Sequence, residues 1–199
     1  MKSALIASIL EKYGTEETHR DGEDQASYDK RMVTAAFFVM KLTRVDSNPI
    51  KVIDSLWIGS IGSAYSPDVL TNNSISKILC VAESPKLMFP DRFCYLRVSM
   101  LDDPIKLDAE HLRTVLLPEC LTFIKAAIDE GCNVLVHCFL GVSRSAFVCC
   151  AYIMLHSRLR LWQALEMVRA VRPMAQPNSL FMQVLRSYDS ELFGNGHGV

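Results

Sequence analysis

Short apolar runs alternate along the chain with longer blocks of helical spacing. The short runs predict strands near residues 51–58, 76–81, 94–98 and 133–137. The longer blocks predict helices over residues 65–73, 108–130, 144–156, 160–171 and 178–192. Pro118 should break or kink the second of these helices, and Asn178 is a suitable N-cap for the last. Strands that alternate with helices indicate an α/β fold: a central, mostly parallel, twisted sheet with helices on both faces.

The first 48 residues form an extension that precedes this pattern. Residues 1–12 favour a short helix, and the polar stretch 16–25 favours a flexible linker. Apolar residues at helical spacing predict a further helix over 27–42, and Asn48-Pro49 marks its end. We therefore expect an extension over 1–48, one domain over 49–193 and a flexible tail over 194–199.

The segment 30–44 within the extension is basic at both ends, with apolar and aromatic residues between them. This pattern is typical of a helix that binds a regulator, including calmodulin-type proteins. The alternative is a helix docked on the surface of its own domain. We favour the docked helix, because its apolar face is broad enough to need cover.

The chemistry of the chain concentrates in the loop 137–145, which reads HCFLGVSRS and lies between a predicted strand and a predicted helix. Such a loop delivers backbone N–H groups to a helix N-terminus, which is an anion site. Cys138 lies at the floor of this site and Arg144 at its rim. A thiol and a guanidinium in this arrangement are suited to attack on phosphorus.

The loop also has the means to ionise Cys138. An ordinary thiol titrates near pH ~8.5, and lowering its pKa to about 5.5 needs roughly 4 kcal/mol of preferential stabilisation of the thiolate. A helix dipole supplies only about 0.3–2 kcal/mol. The remainder must come from loop N–H groups and from Arg144, which can also bind two phosphate oxygens in a fork.

The pattern His-Cys-x-x-Gly-x-x-Arg-Ser resembles the signature of cysteine-dependent protein phosphatases, in the form found in their dual-specificity branch. Residues 52–60 and 75–81 resemble the first two strands of that family, and Arg172-Pro173 with Pro177-Asn178 and Phe181 resemble its closing segment. The resemblance covers about residues 49–190. It implies an enzyme that dephosphorylates tyrosine and serine/threonine side chains of proteins through a cysteinyl-phosphate, with no metal and no other cofactor.

The resemblance also implies a general acid, because serine and tyrosine oxyanions are poor leaving groups. In the family the acid follows a Tyr-containing strand, at the spacing that Tyr95 has to Asp102. We assign the role to Asp102, with Asp103 as the second candidate. The alternative is that both aspartates belong to a solvated turn before Pro104.

The remaining site residues have supporting roles. His137 is expected to be a buried orienting residue, and Gly141 to adopt a backbone shape that other residues resist. Ser145 either caps the helix or, by resemblance, stabilises the released thiolate, and Asn178 either caps its helix or ties it to the loop. The candidate site thus comprises Cys138, Arg144 and Asp102 for catalysis, Phe139, Leu140, Gly141, Val142, Ser143 and Arg144 for substrate binding, and His137, Ser145 and Asn178 in support.

The loop carries no lysine, and Phe139, Leu140 and Val142 are uncharged. This argues against a highly anionic lipid headgroup and favours phosphorylated side chains of protein partners, such as a protein kinase. Two alternatives stay open. One is a catalytically weak or inactive relative that serves as a phosphate-reading module, binding phosphorylated groups. The other is a phosphatase of a non-protein phosphate, such as an RNA 5′-end or a carbohydrate.

Composition is consistent with these expectations. The 199 residues, half of them apolar, can bury one substantial core. A net charge of −1 gives no reason to expect nucleic acid, and no apolar run approaches the ~18 residues of a membrane span. The N-terminal apolar stretch is too short for a signal peptide.

Seven cysteines with no Cys-x-x-Cys pair favour neither a disulfide framework nor a metal site. A reducing compartment, cytoplasmic or nuclear, fits them best. Cys80 is the one candidate for a redox partner of Cys138, although the simpler interpretation of the six other cysteines is core packing.

Overall fold

A computed structural model describes Leu10, Tyr13 and residues 19–194. Nearly all of the predicted helix over 1–12, and the tail beyond Gly194, lie outside the described residues. The strands are β1 (Ile50–Ile53), β2 (Leu56–Gly59), β3 (Ile75–Cys80), β4 (Cys94–Arg97) and β5 (Asn133–His137). The helices are α1 (Gln25–Val45), α2 (Ile61–Ala64), α3 (Pro67–Asn72), α4 (Ala109–His111), α5 (Leu117–Asp129), α6 (Arg144–Ser157), α7 (Leu161–Val171) and α8 (Ser179–Phe193).

The five strands form one sheet in the order β1-β2-β5-β3-β4. Strand β1 pairs antiparallel with β2, and the other pairs are parallel. Three consecutive apolar residues, Val134, Leu135 and Val136, form the middle of the central strand β5, and all three are buried because both faces of this strand are covered. Val134 and Val136 join the core under α5 to α8, whereas Leu135 joins a second core under α1 and α2. The predicted fold class, a mostly parallel sheet with helices on both faces, is confirmed.

The prediction of one strand over 51–58 is wrong, because this stretch is the hairpin of β1 and β2. Ile53 pairs with Leu56, which leaves Asp54 and Ser55 as a two-residue turn. Ser55 has φ +65°, a conformation that such turns require and that Gly or Asn usually supplies. The apolar run hid the turn because neither of those residues marks it.

The long predicted helix over 108–130 is interrupted near Pro118, as expected. A π-helical segment, Leu112–Leu116, separates α4 from α5. Pro118 follows directly as the second residue of α5, so the π-helical turn lies next to the position where proline removes a backbone N–H from the helix. Pro67 begins α3, so the predicted helix over 65–73 is shorter, and the short helix α2 precedes it.

Helix α1 docks on the domain, which is the arrangement we favoured for the segment 30–44. Its buried face consists of Met32, Ala36, Val39 and Leu42. The contact with α2 is so close that a Cβ at Gly62 would lie 2.4 Å from the Leu42 carbonyl oxygen. The apolar face that a calmodulin-type regulator would bind is therefore already covered.

The described part of the predicted flexible linker is tied to α1. Asp24 caps the helix by accepting a hydrogen bond from the Ser27 N–H at 2.7 Å. Glu23 accepts hydrogen bonds from the backbone N–H of Arg20 at 3.0 Å and from the Arg31 guanidinium at 2.8 Å. Within residues 19–194, no helix is both long and apolar enough to cross a bilayer.

Candidate active site

The loop between β5 and α6 is shaped by Gly141. Its φ is +68°, which L side chains rarely adopt. A Cβ at this position would lie 2.6 Å from the Gly59 carbonyl oxygen of β2, so there is also no space for a side chain. The predicted need for special backbone geometry at Gly141 therefore has two separate physical causes.

The carbonyl groups of the loop are bound from outside it. The Phe139 carbonyl accepts from the Ile61 N–H at 3.1 Å, and the Val142 carbonyl accepts from the Gln176 N–H at 2.8 Å. The loop N–H groups remain available to the thiol and to an anion. The Gly141 N–H is one of them, because it donates to Cys138 Sγ at 3.2 Å.

Cys138 is almost fully buried, with 1% of its surface exposed. Burial acts to raise the pKa of its thiol. The charge of Arg144, the Ser145 hydroxyl 3.5 Å away and the N–H groups of Ser145 and Gly141 outweigh burial, so the net pKa is below that of an ordinary thiol. The site residues lower the pKa of Cys138, as the sequence predicted.

Other buried cysteines show what happens without such a loop. Burial raises the pKa of Cys80 to about 11 and that of Cys150 to about 12. Cys149, on the helix that follows the loop, is also raised well above its ordinary value by burial. All seven cysteines are free thiols. The preference for thiolate at Cys138 therefore comes from its loop.

Asp102 contacts the loop directly. One carboxylate oxygen accepts hydrogen bonds from Ser143 Oγ at 2.7 Å and from Asn178 Nδ2 at 2.9 Å. The other lies 3.5 Å from Arg144 Nε. Asp103, the second candidate, instead accepts from the backbone N–H of Ile105 at 2.9 Å within its own turn. The structure therefore brings Asp102 to the loop and leaves Asp103 in a local turn.

Arg144 begins α6 and reaches back over the loop. Its guanidinium donates to the Met100 carbonyl at 3.3 Å, in addition to the contact with Asp102. The Arg144 side chain is partly open to solvent, with 15% exposed. It can thus meet an incoming phosphate while its charge acts on the Cys138 thiol.

His137 is buried behind the loop. Its Nδ1 lies 3.2 Å from the Cys138 carbonyl oxygen, which can only accept, so Nδ1 carries the hydrogen. Burial, assisted by the charges of Arg97 and Arg144, lowers the pKa of His137 to about 4 against the opposing effect of that hydrogen bond. His137 is therefore neutral near pH 7 and fits an orienting role better than that of a base.

Asn178 satisfies both interpretations of its role. Its Oδ1 caps α8 by accepting from the Phe181 N–H at 3.0 Å. Its Nδ2 donates to Asp102, and its backbone N–H donates to Ser143 Oγ at 3.2 Å. The start of α8 is thereby tied to both the acid and the loop.

Comparison with known proteins identifies the family. The family model of the dual specificity phosphatase catalytic domain matches residues 56–191. The chain belongs to this family. It is 35% identical over 145 residues to dual specificity protein phosphatase 1B of Arabidopsis thaliana, covering 73% of this chain and 84% of that one. It is 38% identical over 138 residues to dual specificity protein phosphatase 15 of Mus musculus, covering 69% of this chain but only 56% of the mouse protein.

Solved structures agree with this assignment. The crystal structure of human DUSP28 has 33% sequence identity and a TM-score of 0.65, covering 72% of this chain and 94% of that chain. The structure of DUSP15 has 33% identity and a TM-score of 0.65, covering 73% of this chain and 92% of that chain. The protein is thus a phosphatase of the dual-specificity family.

Sequence reasoning missed one structural feature of the phosphatase loop. Arg172, seen only as part of a family-like segment, donates to the carbonyls of Leu140 at 2.9 Å and Gly141 at 2.6 Å. Asp46 holds the same guanidinium with contacts of 3.3 and 2.8 Å. The Arg172-Pro173 pair was a usable signal, whereas nothing in the sequence marks Asp46.

The mouth of the phosphatase site is apolar on one side. Leu140 is 43% exposed, and the Phe139 ring stacks on Phe38 of α1 with centroids 5.9 Å apart. Helix α1 therefore contributes to the surroundings of the catalytic loop. In the described part of the chain, no group of three His, Cys, Asp or Glu side chains could hold a metal ion.

Proposed function

We propose that this phosphatase hydrolyses phosphotyrosine and phosphoserine/threonine of proteins through a cysteinyl-phosphate at Cys138. The observation that carries the proposal is the Cys138 thiol, buried yet lowered in pKa by Arg144 and by the loop donors around its sulfur. A thiolate that faces N–H groups and a guanidinium is an activated nucleophile at an anion site.

In the first step the Cys138 thiolate attacks phosphorus, forming the S–P bond as the P–O bond to the substrate side chain breaks. Loop N–H groups and Arg144 hold the three equatorial oxygens. Protonated Asp102 gives its proton to the departing oxygen, which leaves as a neutral hydroxyl. The contacts of Asp102 with Ser143 and Asn178 support this role, because they fix the carboxyl group beside the loop.

In the second step the Asp102 carboxylate takes a proton from water, and the water oxygen attacks phosphorus. The S–P bond breaks, releasing inorganic phosphate and the Cys138 thiolate. The Ser145 hydroxyl, 3.5 Å from the sulfur, stabilises the thiolate that leaves. Both steps are carried out by side chains and backbone N–H groups of the chain, with water as the second reactant.

The choice of phosphoprotein substrates rests on the site mouth and on the family. Phe139, Leu140 and Val142 bring no positive charge into the loop, which suits one phosphate on a side chain better than a cluster of phosphates. A phosphorylated protein kinase would be an example of such a substrate. A calmodulin-type regulator at residues 30–44 would first have to detach α1 from the domain. We also propose a reducing compartment, cytoplasm or nucleus, which the seven free thiols support.

The test is hydrolysis of two aryl phosphates, one with a good and one with a poor leaving group, between pH 5 and 8. Cys138→Ser should abolish turnover of both. Asp102→Asn should lower the turnover of the substrate with the poor leaving group about 10²–10⁴-fold. It should lower the turnover of the other substrate far less, because only the poor leaving group needs a proton. Asp103→Asn is the matched control and should remain near native.

The outcomes separate the proposal from a phosphate-reading module and test the assignment of the general acid. An inactive native chain that still binds phosphopeptides would overturn the proposal in favour of a phosphate-reading module. Equal losses in Asp102→Asn and Asp103→Asn would remove Asp102 from the mechanism.

A further inference from the structure

A second cavity lies between α1 and the catalytic loop, separate from the Cys138 site. Its volume is about 550 Å³, within the usual range of ligand sites. The lining that matters for its chemistry comprises Arg20, Lys30, Arg31, Ala35, Phe38 and Phe139. Among these residues only Phe139 belongs to the catalytic loop.

The cavity borders the catalytic loop at Phe139. This residue follows Cys138 in the chain, and its ring stacks almost parallel on Phe38. The stacked pair forms the wall nearest the loop. This wall of the cavity is therefore one residue along the chain from the nucleophile.

The dimensions suit a short peptide segment. Lys30 and Phe38 are eight residues apart on α1, which corresponds to about 12 Å along the helix axis. An extended peptide covers about 3.3–3.6 Å per residue, so about four residues of substrate span the same length.

The cavity is apolar near the loop and positive at its far end. Ala35, Phe38 and Phe139 provide the apolar part, and Arg20, Lys30 and Arg31 provide the cations. Glu23 offsets one of these, because its carboxylate pairs with Arg31 at 2.8 Å. Arg20 and Lys30 are exposed side chains that add further positive charge.

We propose that this cavity binds the flank of the phosphorylated substrate, receiving an apolar side chain between Ala35 and the stacked rings and an acidic side chain at Arg20 and Lys30. Charge complementarity and the border that Phe139 forms with the catalytic loop both favour such an occupant. The inference rests on the proposed function in one respect, that the phosphorylated residue binds at Cys138. It makes α1 a determinant of substrate choice.

The experiment measures the affinity of the full-length Cys138→Ser chain for phosphotyrosine peptides by calorimetry. One set of peptides carries an apolar and an acidic residue within four positions of the phosphotyrosine, on either side. The other set has Ser and Gln there. Lys30→Glu should weaken binding of the acidic set about five- to tenfold, since an exposed ion pair is replaced by repulsion. Binding of the neutral set should stay within about twofold.

Matched controls lie on the same helix. Lys41→Glu changes the charge of α1 by the same amount at an exposed position outside the cavity, and should leave the preference intact. Phe38 is 41% exposed and Phe37 is 44% exposed, but only Phe38 lines the cavity. Phe38→Ala should weaken the binding of peptides that carry the apolar residue, and Phe37→Ala should leave their binding unchanged.

Equal effects of Lys30→Glu and Lys41→Glu, or no preference for the acidic peptides in the parent chain, would overturn the inference. Failure of the proposed function is a different result. It would appear as an absence of aryl phosphate turnover in the native chain, whereas the binding preference is measured in a variant that needs no turnover.

Discussion

The contact between Asp46 and Arg172 allows the sharpest prediction about stability. Asp46→Asn removes the charge but keeps the size of the side chain, and it leaves intact the backbone carbonyl that accepts from Ser63 Oγ at 3.1 Å. Arg172 then keeps its bonds to the carbonyls of Leu140 and Gly141 but loses its counter-charge.

The magnitude follows from burial. The Arg172 side chain is 3% exposed and that of Asp46 is 24% exposed. Breaking a fully buried ion pair costs about 3–5 kcal/mol, whereas a surface pair contributes at most about 1 kcal/mol. Water reaches the Asp46 end and two carbonyl acceptors remain, so we expect a loss of about 2 kcal/mol in unfolding free energy. In a domain of this size that lowers Tm by about 4–8 °C.

The assay is urea and thermal unfolding of Asp46→Asn beside Asp54→Asn. Asp54 is fully exposed and pairs with Lys51 at 3.0 Å on the surface, so its variant should melt close to the native chain. Arg172→Met should also lower aryl phosphate turnover, because the loop carbonyls lose their donors. An equal Tm for Asp46→Asn and Asp54→Asn would contradict this prediction.

Three further changes have expected outcomes. Gly141→Ala should reduce aryl phosphate turnover at least about a hundredfold, because its Cβ displaces the loop, while Gly131→Ala, also at positive φ but in open space, should keep turnover. His137 has a pKa of about 4 in the folded chain and 6.5 ordinarily, so the unfolded chain binds more protons between these values. Stability should fall by up to about 1.4 kcal/mol per pH unit as pH drops from 6.5 to 4, and His137→Gln should flatten that slope in urea titrations; an unchanged slope would contradict the burial of neutral His137. Deleting residues 1–48 should expose the apolar surface under α1 and cause aggregation in light scattering; a soluble, active 49–199 chain would contradict this.

The sequence predicted the fold class, which is confirmed, and it predicted the residues that the structure brings together around Cys138. Strand β5 was predicted with its observed bounds, since its apolar residues 134–136 lie directly before the loop that carries the site residues. The conformation of the loop 137–145 could be predicted from its own residues, because Gly141 and the following helix determine where the N–H groups point. Asp102 required the family spacing, since two adjacent aspartates before a proline look alike without the contacts that separate them.

The rest depended on contacts between distant segments. Asp46 and Arg172 are 126 residues apart, and periodicity carries no information about such a pair. The hairpin of β1 and β2 was hidden because Asp54-Ser55 lacks the usual glycine. The role of α1 at the mouth depends on the stacking of Phe38 on Phe139, which only the docked helix brings about.

The central claim is that phosphate passes through Cys138. Rapid mixing of the native chain with an aryl phosphate, acid quench and mass spectrometry of the peptide that contains Cys138 would test it most directly. We expect a phosphate on the Cys138 sulfur during turnover. Its occupancy should be higher in Asp102→Asn with a good leaving group, because hydrolysis of the intermediate is then slowed. Turnover without phosphate on Cys138, or with Cys138→Ser as active as the native chain, would contradict it.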